Sequence, residues 1–237
     1  MTRIRFSFAR KIALAYISHL DMLRLFLRAL SRSGLPIAYS QGFNPHPRFS
    51  LALPLPLGVT AGKEFGELFL TDSILPGQFL NSLKAQLPEA IELTSASAID
   101  LAEPSLASQV GAALYRAALK SDHQNTITPE QLQAALDRLM AKEEIVFQRK
   151  PKKHKISYIN VRPYILEAAV KKIENEPLEL KLLLLAGSQG GIAPVFLLDQ
   201  LESEAGAGSF QAHNWQIHRE CLYINQNGIQ QPLAERM

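Results

Sequence analysis

Two hydrophobic periods alternate along the first hundred residues, and this alternation restricts the fold more than any other feature of the sequence. Residues 2–8 place apolar side chains at every second position, which predicts a half-buried strand. Residues 18–33 instead repeat apolar side chains at helical spacing, with Ser18 and Asp21 as a capping-box start and Gly34 as the end. Leu20, Leu23, Leu27 and Leu30 form the predicted inward face of this helix.

Further patterns complete two similar halves. In the first half they predict a strand over 37–57 that a polar loop interrupts, a strand at 64–71, a helix at 75–87 and a strand at 91–99. In the second half they predict strands at 110–119, 144–149, 155–160 and 178–185, a helix at 128–142 with Thr128 as its N-cap, helices at 162–173 and 194–201, and an extended segment at 210–226. The order β-α-β-β-α-β is ferredoxin-like. We therefore predict an α+β protein of two ferredoxin-like halves in tandem, with domains 1–103 and 104–237 and an elaborated second half.

The single cysteine, Cys221, limits the chemistry that this chain carries alone. One thiol excludes an internal disulfide and any all-cysteine zinc or iron–sulfur site, and its alternating surroundings favour a structural thiol. No run of uncharged apolar residues is long enough for a membrane span, and the first residues lack the hydrophobic region of a signal peptide. We therefore expect a soluble cytoplasmic protein that makes no membrane contact and holds no cofactor.

The formal net charge of +3 conceals a strong asymmetry along the chain. Residues 1–50 contain eight Lys or Arg and one acid, a balance of +7. Residues 163–237 contain five bases and nine acids, a balance of −4. A basic N-terminal region predicts an anionic partner, such as RNA.

Two neighbouring segments carry the candidate anion-binding side chains. Arg24, Arg28 and Arg32 recur every four residues and form one stripe on the predicted helix. The loop that follows supplies polar groups and aromatic faces suited to a stacked nucleotide: Tyr39, Ser40, Gln41, Phe43, Asn44 and Arg48. The alternative is a loop held together by its own hydrogen bonds, with Gly42 at a positive φ. We predict that stripe and loop converge on one anion-receptive pocket.

Two histidines are candidate catalytic residues. His19 lies in the first turn of the predicted helix, where the positive end of the helix dipole favours a neutral imidazole. His46 lies between two prolines that restrict its backbone. The two histidines could act as acid and base in the cleavage of a phosphodiester. Together with Asp21 they could also form a His–His–carboxylate metal site. We assign no metal to the protein. In the structural alternative, Asp21 completes the helix cap and pairs with Arg24.

A second basic segment lies in the C-terminal half. Residues 149–155 contain five Lys or Arg and a histidine without an acid. Lys152, Lys153, Lys155 and the nearby Arg162 suit contacts with a phosphate backbone, whereas a solvated hairpin tip is the structural alternative. Residues 187–191 are glycine-rich but lack the dinucleotide and Walker patterns, so we predict a turn there.

The N-terminal motifs resemble a bacterial family. The segment that carries the resemblance is YISHLDMLRLFLRALSRSGLPIAYSQGFNPHPRFSLALPLPLGV, in which the SHLD, YSQGFNPHP and ALPLPLGV blocks are similar to the opening of the radical SAM-linked proteins. NVRPYI at residues 160–165 is similar to the family segment DIRPYI, with Asn160 where aspartate is usual. GGIAPVFLLDQL and IHRECLYI also resemble family segments. This uncharacterised family occurs beside, or fused to, a cobalamin-binding-type radical SAM protein.

The resemblance implies a partner in trans and no settled activity. A radical SAM enzyme needs three cysteines for its cluster, and this chain has one. We therefore predict an accessory or substrate-binding protein that acts with a radical SAM protein and binds RNA or another anionic substrate. The alternative is an RNA-processing endoribonuclease with His19 and His46 as acid and base, because tandem ferredoxin-like halves are similar in architecture to the endoribonucleases that mature CRISPR RNA.

Overall fold

Strands and helices alternate along the whole described chain. The computed structural model describes residues 1–123, 127–149, 157–172, 176–206, 212–226 and 229–233. In chain order its elements are β1 (Thr2–Arg10), α1 (His19–Arg32), β2 (Phe49–Leu51), β3 (Val59–Leu70), α2 (Pro76–Lys84), β4 (Ile91–Ile99), α3 (Leu106–Gln109), β5 (Val110–Leu119), α4 (Pro129–Met140), β6 (Val146–Arg149), β7 (Ser157–Asn160), β8 (Ile165–Lys171), β9 (Glu179–Leu185), α5 (Pro194–Ala205), β10 (Trp215–Gln226) and β11 (Ile229–Pro232). The protein is thus of mixed α+β class, as predicted, with mostly antiparallel strands.

Two compact units divide the chain. The first comprises Met1–Gly111 and Arg219–Met237, and the second comprises Ala112–His218. These units differ from the predicted domains 1–103 and 104–237 because the end of β10 returns to the first unit. The domain boundaries themselves stay a prediction.

The first unit is built around β1. This strand pairs antiparallel with β3 on one side and with β4 on the other, while β2 and β10 lie on the far edge of β3. Ile4, Phe6 and Phe8 alternate along β1 and form the floor of the apolar core. Phe26 from α1 and Phe79 from α2 pack over them, with ring centroids 5.8 and 5.5 Å from that of Phe6.

The inward face of α1 differs from the prediction. Met22, Phe26, Ala29 and Leu30 are its buried residues, whereas Leu20 is exposed. Two apolar rows share this helix at helical spacing, so periodicity alone does not choose between them. The row that contains Phe26 is buried because the facing strand β1 also presents phenylalanines, and a phenylalanine side chain buries more area than leucine.

The predicted strand over residues 37–57 is mostly irregular. Ile37 and Tyr39 form isolated bridges, to Leu70 and Pro47, and only Phe49–Leu51 forms a strand. The segment that follows contains Pro54 and Pro56, which have no N–H to donate to a ladder. The polar loop therefore joins two short extended pieces.

The second unit has the strand order β10-β5-β9-β8, and the β6–β7 hairpin forms a sheet of its own. Thr128 is the N-cap of α4, as predicted, and Gln131 completes a capping box with it. The helix predicted at residues 162–173 is wrong: Arg162–Tyr164 form a 3-10 turn, and Ile165–Lys171 form β8. Antiparallel pairing with β9 overrides the helix propensity of the Leu-Glu-Ala-Ala run there.

Candidate functional site

The start of α1 is fixed by a local hydrogen-bond network. The Asp21 N–H donates to the Ser18 Oγ at 3.1 Å, and the Ser18 hydroxyl donates to the Asp21 carboxylate at 2.7 Å. Arg24 Nη1 lies 3.0 Å from the same carboxylate. The Ser18 and Arg24 hydrogen bonds lower the pKa of Asp21. The structural alternative for Asp21 is therefore confirmed, since the carboxylate completes the cap and pairs with Arg24.

His19 is half-buried beside a small cavity. This cavity has a volume of about 20 Å³, and Arg10, Glu64 and apolar side chains line it with His19. Such a volume holds about one water molecule. Burial, followed by the positive charge of Arg219, lowers the pKa of His19. The neutral imidazole predicted from the helix dipole is thus favoured by desolvation and by a nearby guanidinium.

A buried ionic network lies behind His19. Arg219 donates from Nε to Glu64 Oε1 at 2.7 Å and from Nη2 to Glu64 Oε2, and it also reaches the carbonyl oxygens of Leu53 and Pro54. Arg10 donates to the carbonyl oxygens of Pro56 and Val59. Burial lowers the pKa of Arg10 to about 10, against the opposing effect of Glu64. Glu64 thus forms an ion pair with Arg219 and also stabilises the charged form of Arg10.

A second buried network neutralises more of the positive charge of residues 1–50. Arg5 donates to Glu67 Oε1 at 2.8 and 3.1 Å, and Arg3 donates to Glu67 Oε2 at 2.7 Å. Arg3, Arg5 and Arg10 are all buried. The +7 balance of residues 1–50 therefore overstates the charge that faces solvent, because three of the eight bases are internal.

Sequence reasoning missed Glu64, Glu67 and Arg219 as members of these networks. Two acids within the mostly apolar strand β3 are the signal that could have pointed to them, because a buried charge needs a partner. The partner of Glu64 lies 155 residues away in sequence, which local patterns do not reveal.

The arginine stripe of α1 is exposed. Besides the pair of Arg24 with Asp21, Arg28 Nε donates to the Arg24 carbonyl oxygen at 3.3 Å. Arg32 donates to the Gln86 backbone carbonyl at 2.9 Å and to its side chain. None of the three guanidinium groups is buried in an internal ion pair.

The loop of residues 40–46 has a fixed neck and an exposed tip. The Ser40 N–H donates to the His46 carbonyl at 2.9 Å, and the His46 N–H donates to the Ser40 Oγ at 3.1 Å. Beyond this neck, Gly42 has a φ of 128°, as the structural alternative for the loop expects, and Phe43 is fully exposed. The side chains of Gln41, Asn44 and His46 are also exposed, and Tyr39 is half-exposed at the neck. Hydrogen bonds within the loop thus fix its neck and leave its tip open to solvent.

Arg48 packs against the protein, whereas the residues of the loop tip are exposed to solvent. Its guanidinium lies 3.7 Å from the centroid of the Phe69 ring, and its Nη1 lies 3.3 Å from the Met1 sulfur. This cation–π contact holds the residue on β3. Within residues 1–123, none of the hydrogen bonds or ion pairs joins the loop to the arginines of α1, so convergence of the two on one pocket stays a prediction.

The three residues of the histidine-based metal hypothesis lie in different environments. In the part of the chain that the structure describes, no group of three or more His, Cys, Asp or Glu residues is placed to hold a metal ion. His46 is exposed in the loop, whereas His19 lines the small cavity and Asp21 is occupied by the cap.

The candidate bases of the second unit have different outcomes. Arg162 is half-buried and donates to the carbonyl oxygens of Met140 and Ile165 at 3.3 and 3.4 Å, so it helps to fix the turn before β8, and its contact with a phosphate backbone stays a prediction. Lys152, Lys153 and Lys155 lie outside the described residues. Gly187–Gln189 form a 3-10 turn, as the sequence predicts.

These features define an α+β protein with buried ion-pair networks in its first unit and an exposed polar loop beside them. A comparison with protein families matches residues 3–194 to the family described as "Uncharacterized protein conserved in bacteria (DUF2344)". The match covers more than half of the chain, so the protein belongs to this family. A comparison with curated proteins finds no match. No helix among the described residues is long and apolar enough to cross a membrane.

Proposed function

We propose that the protein binds RNA, or another anionic substrate, through the loop of residues 39–48 and the exposed arginines of α1, as a noncatalytic partner of a radical SAM protein. Phe43 carries the proposal. A fully exposed phenylalanine contributes no burial to the fold, and the fixed neck of its loop limits the entropy lost when a ligand binds. Its ring offers both faces for base stacking, which is tolerant of sequence.

Cationic donors support the same role. Arg28 uses its Nε within α1, and Arg24 uses Nη1 for Asp21, which leaves other guanidinium donors of both residues facing solvent. Exposed arginines that neutralise phosphates supply most sequence-independent affinity for nucleic acid and make that affinity depend on salt.

A partner protein is supported by the turn before α1. Ile12, Tyr16, Leu20 and Leu57 are all exposed large apolar residues. The Gly58 N–H donates to the Ala15 carbonyl at 2.8 Å, and a Cβ added to Gly58 would lie 3.5 Å from the Tyr16 ring, so the residue that follows Leu57 is held against this turn. Grouped exposed apolar side chains are typical of protein–protein contact sites. The radical SAM identity of the partner rests on the resemblance of the SHLD, YSQGFNPHP and ALPLPLGV blocks.

The environment of His19 favours binding over catalysis. On its cavity side the imidazole has room for about one water molecule, too little for a phosphodiester. Asp21, the carboxylate closest to His19 in the sequence, is already held by Ser18 and Arg24. The endoribonuclease alternative therefore gains no specific support.

Fluorescence anisotropy with a labelled single-stranded oligouridylate of about 20 nucleotides tests RNA binding at low salt. Phe43→Ala is expected to weaken binding by about 5- to 150-fold, because stacking of one base contributes about 1–3 kcal/mol. Leu75→Ala, which truncates another exposed apolar side chain of the same unit, is the matched control. Arg24→Ala/Arg28→Ala should lower the salt slope by roughly 1.4, whereas the exposed Lys84→Ala should leave it unchanged.

Three results would change the proposal. Wild-type affinity and salt slope in both the Phe43 and the double arginine variants would remove the RNA-binding surface. Metal-free RNA cleavage that His19→Ala and His46→Ala abolish would replace it with the endoribonuclease alternative. Copurification of the radical SAM protein that persists unchanged in Tyr16→Ala/Leu20→Ala would remove the proposed docking turn.

We also propose that each of the two units has the ferredoxin-like fold. Support comes from strand order, since β4-β1-β3-β2 in the first unit corresponds to β10-β5-β9-β8 in the second. In this correspondence the β6–β7 hairpin is an insertion between the first helix and the second strand of its unit. An experimental structure in which β8 pairs elsewhere than on β9 would contradict it.

A further inference from the structure

The second unit contains a cavity of about 560 Å³ between the β6–β7 hairpin and the start of α5. This volume is within the range of small-molecule sites. Its walls are largely apolar, with Phe147 from β6, Ile159 from β7 and Phe196 from α5. The cavity shares no lining residue with the proposed RNA-binding surface, so it requires a separate explanation.

Aromatic residues give the cavity defined walls. The rings of Phe147 and Phe196 meet edge to face, with centroids 4.9 Å apart and an interplanar angle of 83°. Tyr164 packs closely over Gly190, where an added Cβ would lie 3.1 Å from the tyrosine hydroxyl oxygen. Glycine at this position therefore allows the ring to approach the backbone and line the cavity. Three aromatic side chains thus surround the site within the free protein.

Among the described residues that line the cavity, Asp199 is the one carboxylate. It lies one turn after Val195 and Phe196 on α5, so these side chains share a helix face. Asp199 makes no hydrogen bond or ion pair with the rest of the described chain. Partial burial raises the pKa of Asp199. Its side chain lines the cavity and is also exposed to solvent, so a cation that binds beside it would be attracted by a carboxylate that no other described side chain neutralises.

The N-terminus of α5 carries the partial positive charge of a helix start, which would favour an anion, but this effect is weak here. Pro194 occupies the first helical position and has no N–H, and the Phe196 N–H already donates to the Ala193 carbonyl at 3.1 Å. Few backbone donors therefore remain to attract an anion. The full charge of Asp199 and the negative faces of the aromatic rings both favour a cation.

We propose that this cavity binds a small organic cation, an ammonium group attached to an apolar or aromatic body, with Asp199 beside the charge and Phe147, Tyr164 and Phe196 around the body. Recognition of an alkylated ammonium by aromatic rings and one carboxylate follows the general physics of cation–π sites. The body is limited by the cavity to roughly the size of a bicyclic ring.

Isothermal titration calorimetry of the full chain with three matched probes tests this site. Tryptamine carries the ammonium, tryptophol replaces it with a neutral hydroxyl, and indole-3-propionate replaces it with an anion on the same indole body. Tryptamine is expected to bind about tenfold more tightly than tryptophol and more tightly still than indole-3-propionate. Asp199→Asn should remove this preference while tryptophol binding stays unchanged.

Two further variants locate the site. Val195→Trp, at an exposed position of the lining, should fill the cavity and weaken tryptamine and tryptophol alike. Asp137→Asn, which neutralises an exposed carboxylate on α4 of the same unit, should leave both affinities unchanged. The proposal is overturned if no probe binds at millimolar concentration, if the three bind equally, or if Asp199→Asn leaves tryptamine affinity intact. RNA binding is independent of these outcomes, because Phe43 and the arginines of α1 remain unchanged in every variant.

Discussion

Glu64→Gln is the substitution expected to damage the first unit most for the smallest change in shape. The glutamine side chain keeps the volume of glutamate but removes the charge that two buried guanidinium groups face. Arg219 is 0 % exposed and Glu64 is 5 % exposed at their side chains, so water does not replace the lost anion. Arg219 retains its bonds to the Leu53 and Pro54 carbonyl oxygens, which compensate its charge only in part.

The magnitude follows from the cost of an uncompensated buried charge. Removing one partner of a buried ion pair destabilises a protein by about 3–5 kcal/mol. Arg10 adds to this cost because Glu64 also stabilises its charged form. Against a typical stability of about 5–15 kcal/mol, the loss is a large fraction of the total. We expect the urea midpoint of unfolding to fall by roughly 1–2 M.

Equilibrium urea denaturation followed by circular dichroism measures this loss. Glu92→Gln is the matched control, because Glu92 pairs with Lys11 at 3.2 Å while their side chains are 53 % and 55 % exposed. The control should cost under about 1 kcal/mol. A double-mutant cycle adds Arg219→Met, which should cost less in the Glu64→Gln background than in the wild type. If Glu64→Gln changed stability no more than Glu92→Gln, the reasoning about the buried network would be refuted.

Three further predictions concern the same unit. Ser18→Ala should cost about 1 kcal/mol in urea unfolding while Ser18→Asn stays near wild type, and equal losses would contradict the capping role. Gly66→Ala should cost about 1–3 kcal/mol because its Cβ would lie 2.5 Å from the buried Phe6 ring, whereas Gly77→Ala meets nothing within 4 Å and should not destabilise. Because the pKa of His19 is lowered, the unfolded state binds more protons below about pH 6.5, and stability should fall with decreasing pH more in wild type than in His19→Gln. Parallel pH profiles from urea titrations would contradict that assignment.

Local signals account for the parts of the fold that sequence reasoning predicted best. The caps at Ser18 and Thr128 depend on residues within one helical turn, and both are confirmed. The strands Ile91–Ile99 and Val110–Leu119 have the predicted bounds, because alternating apolar residues are a local pattern. The wrong helix at residues 162–173 shows the limit: its propensity is helical, and only pairing with a distant strand makes it extended.

The candidate site divides in the same way. The exposure of the loop tip around Phe43 follows from a polar, glycine-containing and proline-containing segment, which the sequence displays. The burial of Arg3 does not follow from the sequence, because the alternating pattern of β1 predicts that the Arg3 side chain faces solvent. Residues far along the chain cover that face: Arg3 donates to the Pro104 carbonyl oxygen at 3.0 Å, and the Leu106 N–H donates to Glu67 at 3.3 Å. Only the folded chain reveals that the polar face of this strand is internal.

The Glu67 network has a consequence for strand register. Arg5 lies directly opposite Glu67 in the β1–β3 ladder, and neighbouring positions along β1 point to the phenylalanine core. A slip by one residue would turn these charges into the apolar core, at a cost of several kcal/mol for each unpaired ion. We therefore expect Arg3→Met/Arg5→Met/Glu67→Leu to stay folded, because apolar replacement of a buried ionic triad is often neutral in stability, but to lose uniqueness of pairing. Heteronuclear NMR should then show several amide peaks for residues of β1. A single wild-type-like set of peaks in this variant would demonstrate that the phenylalanine alternation fixes the register without the charges.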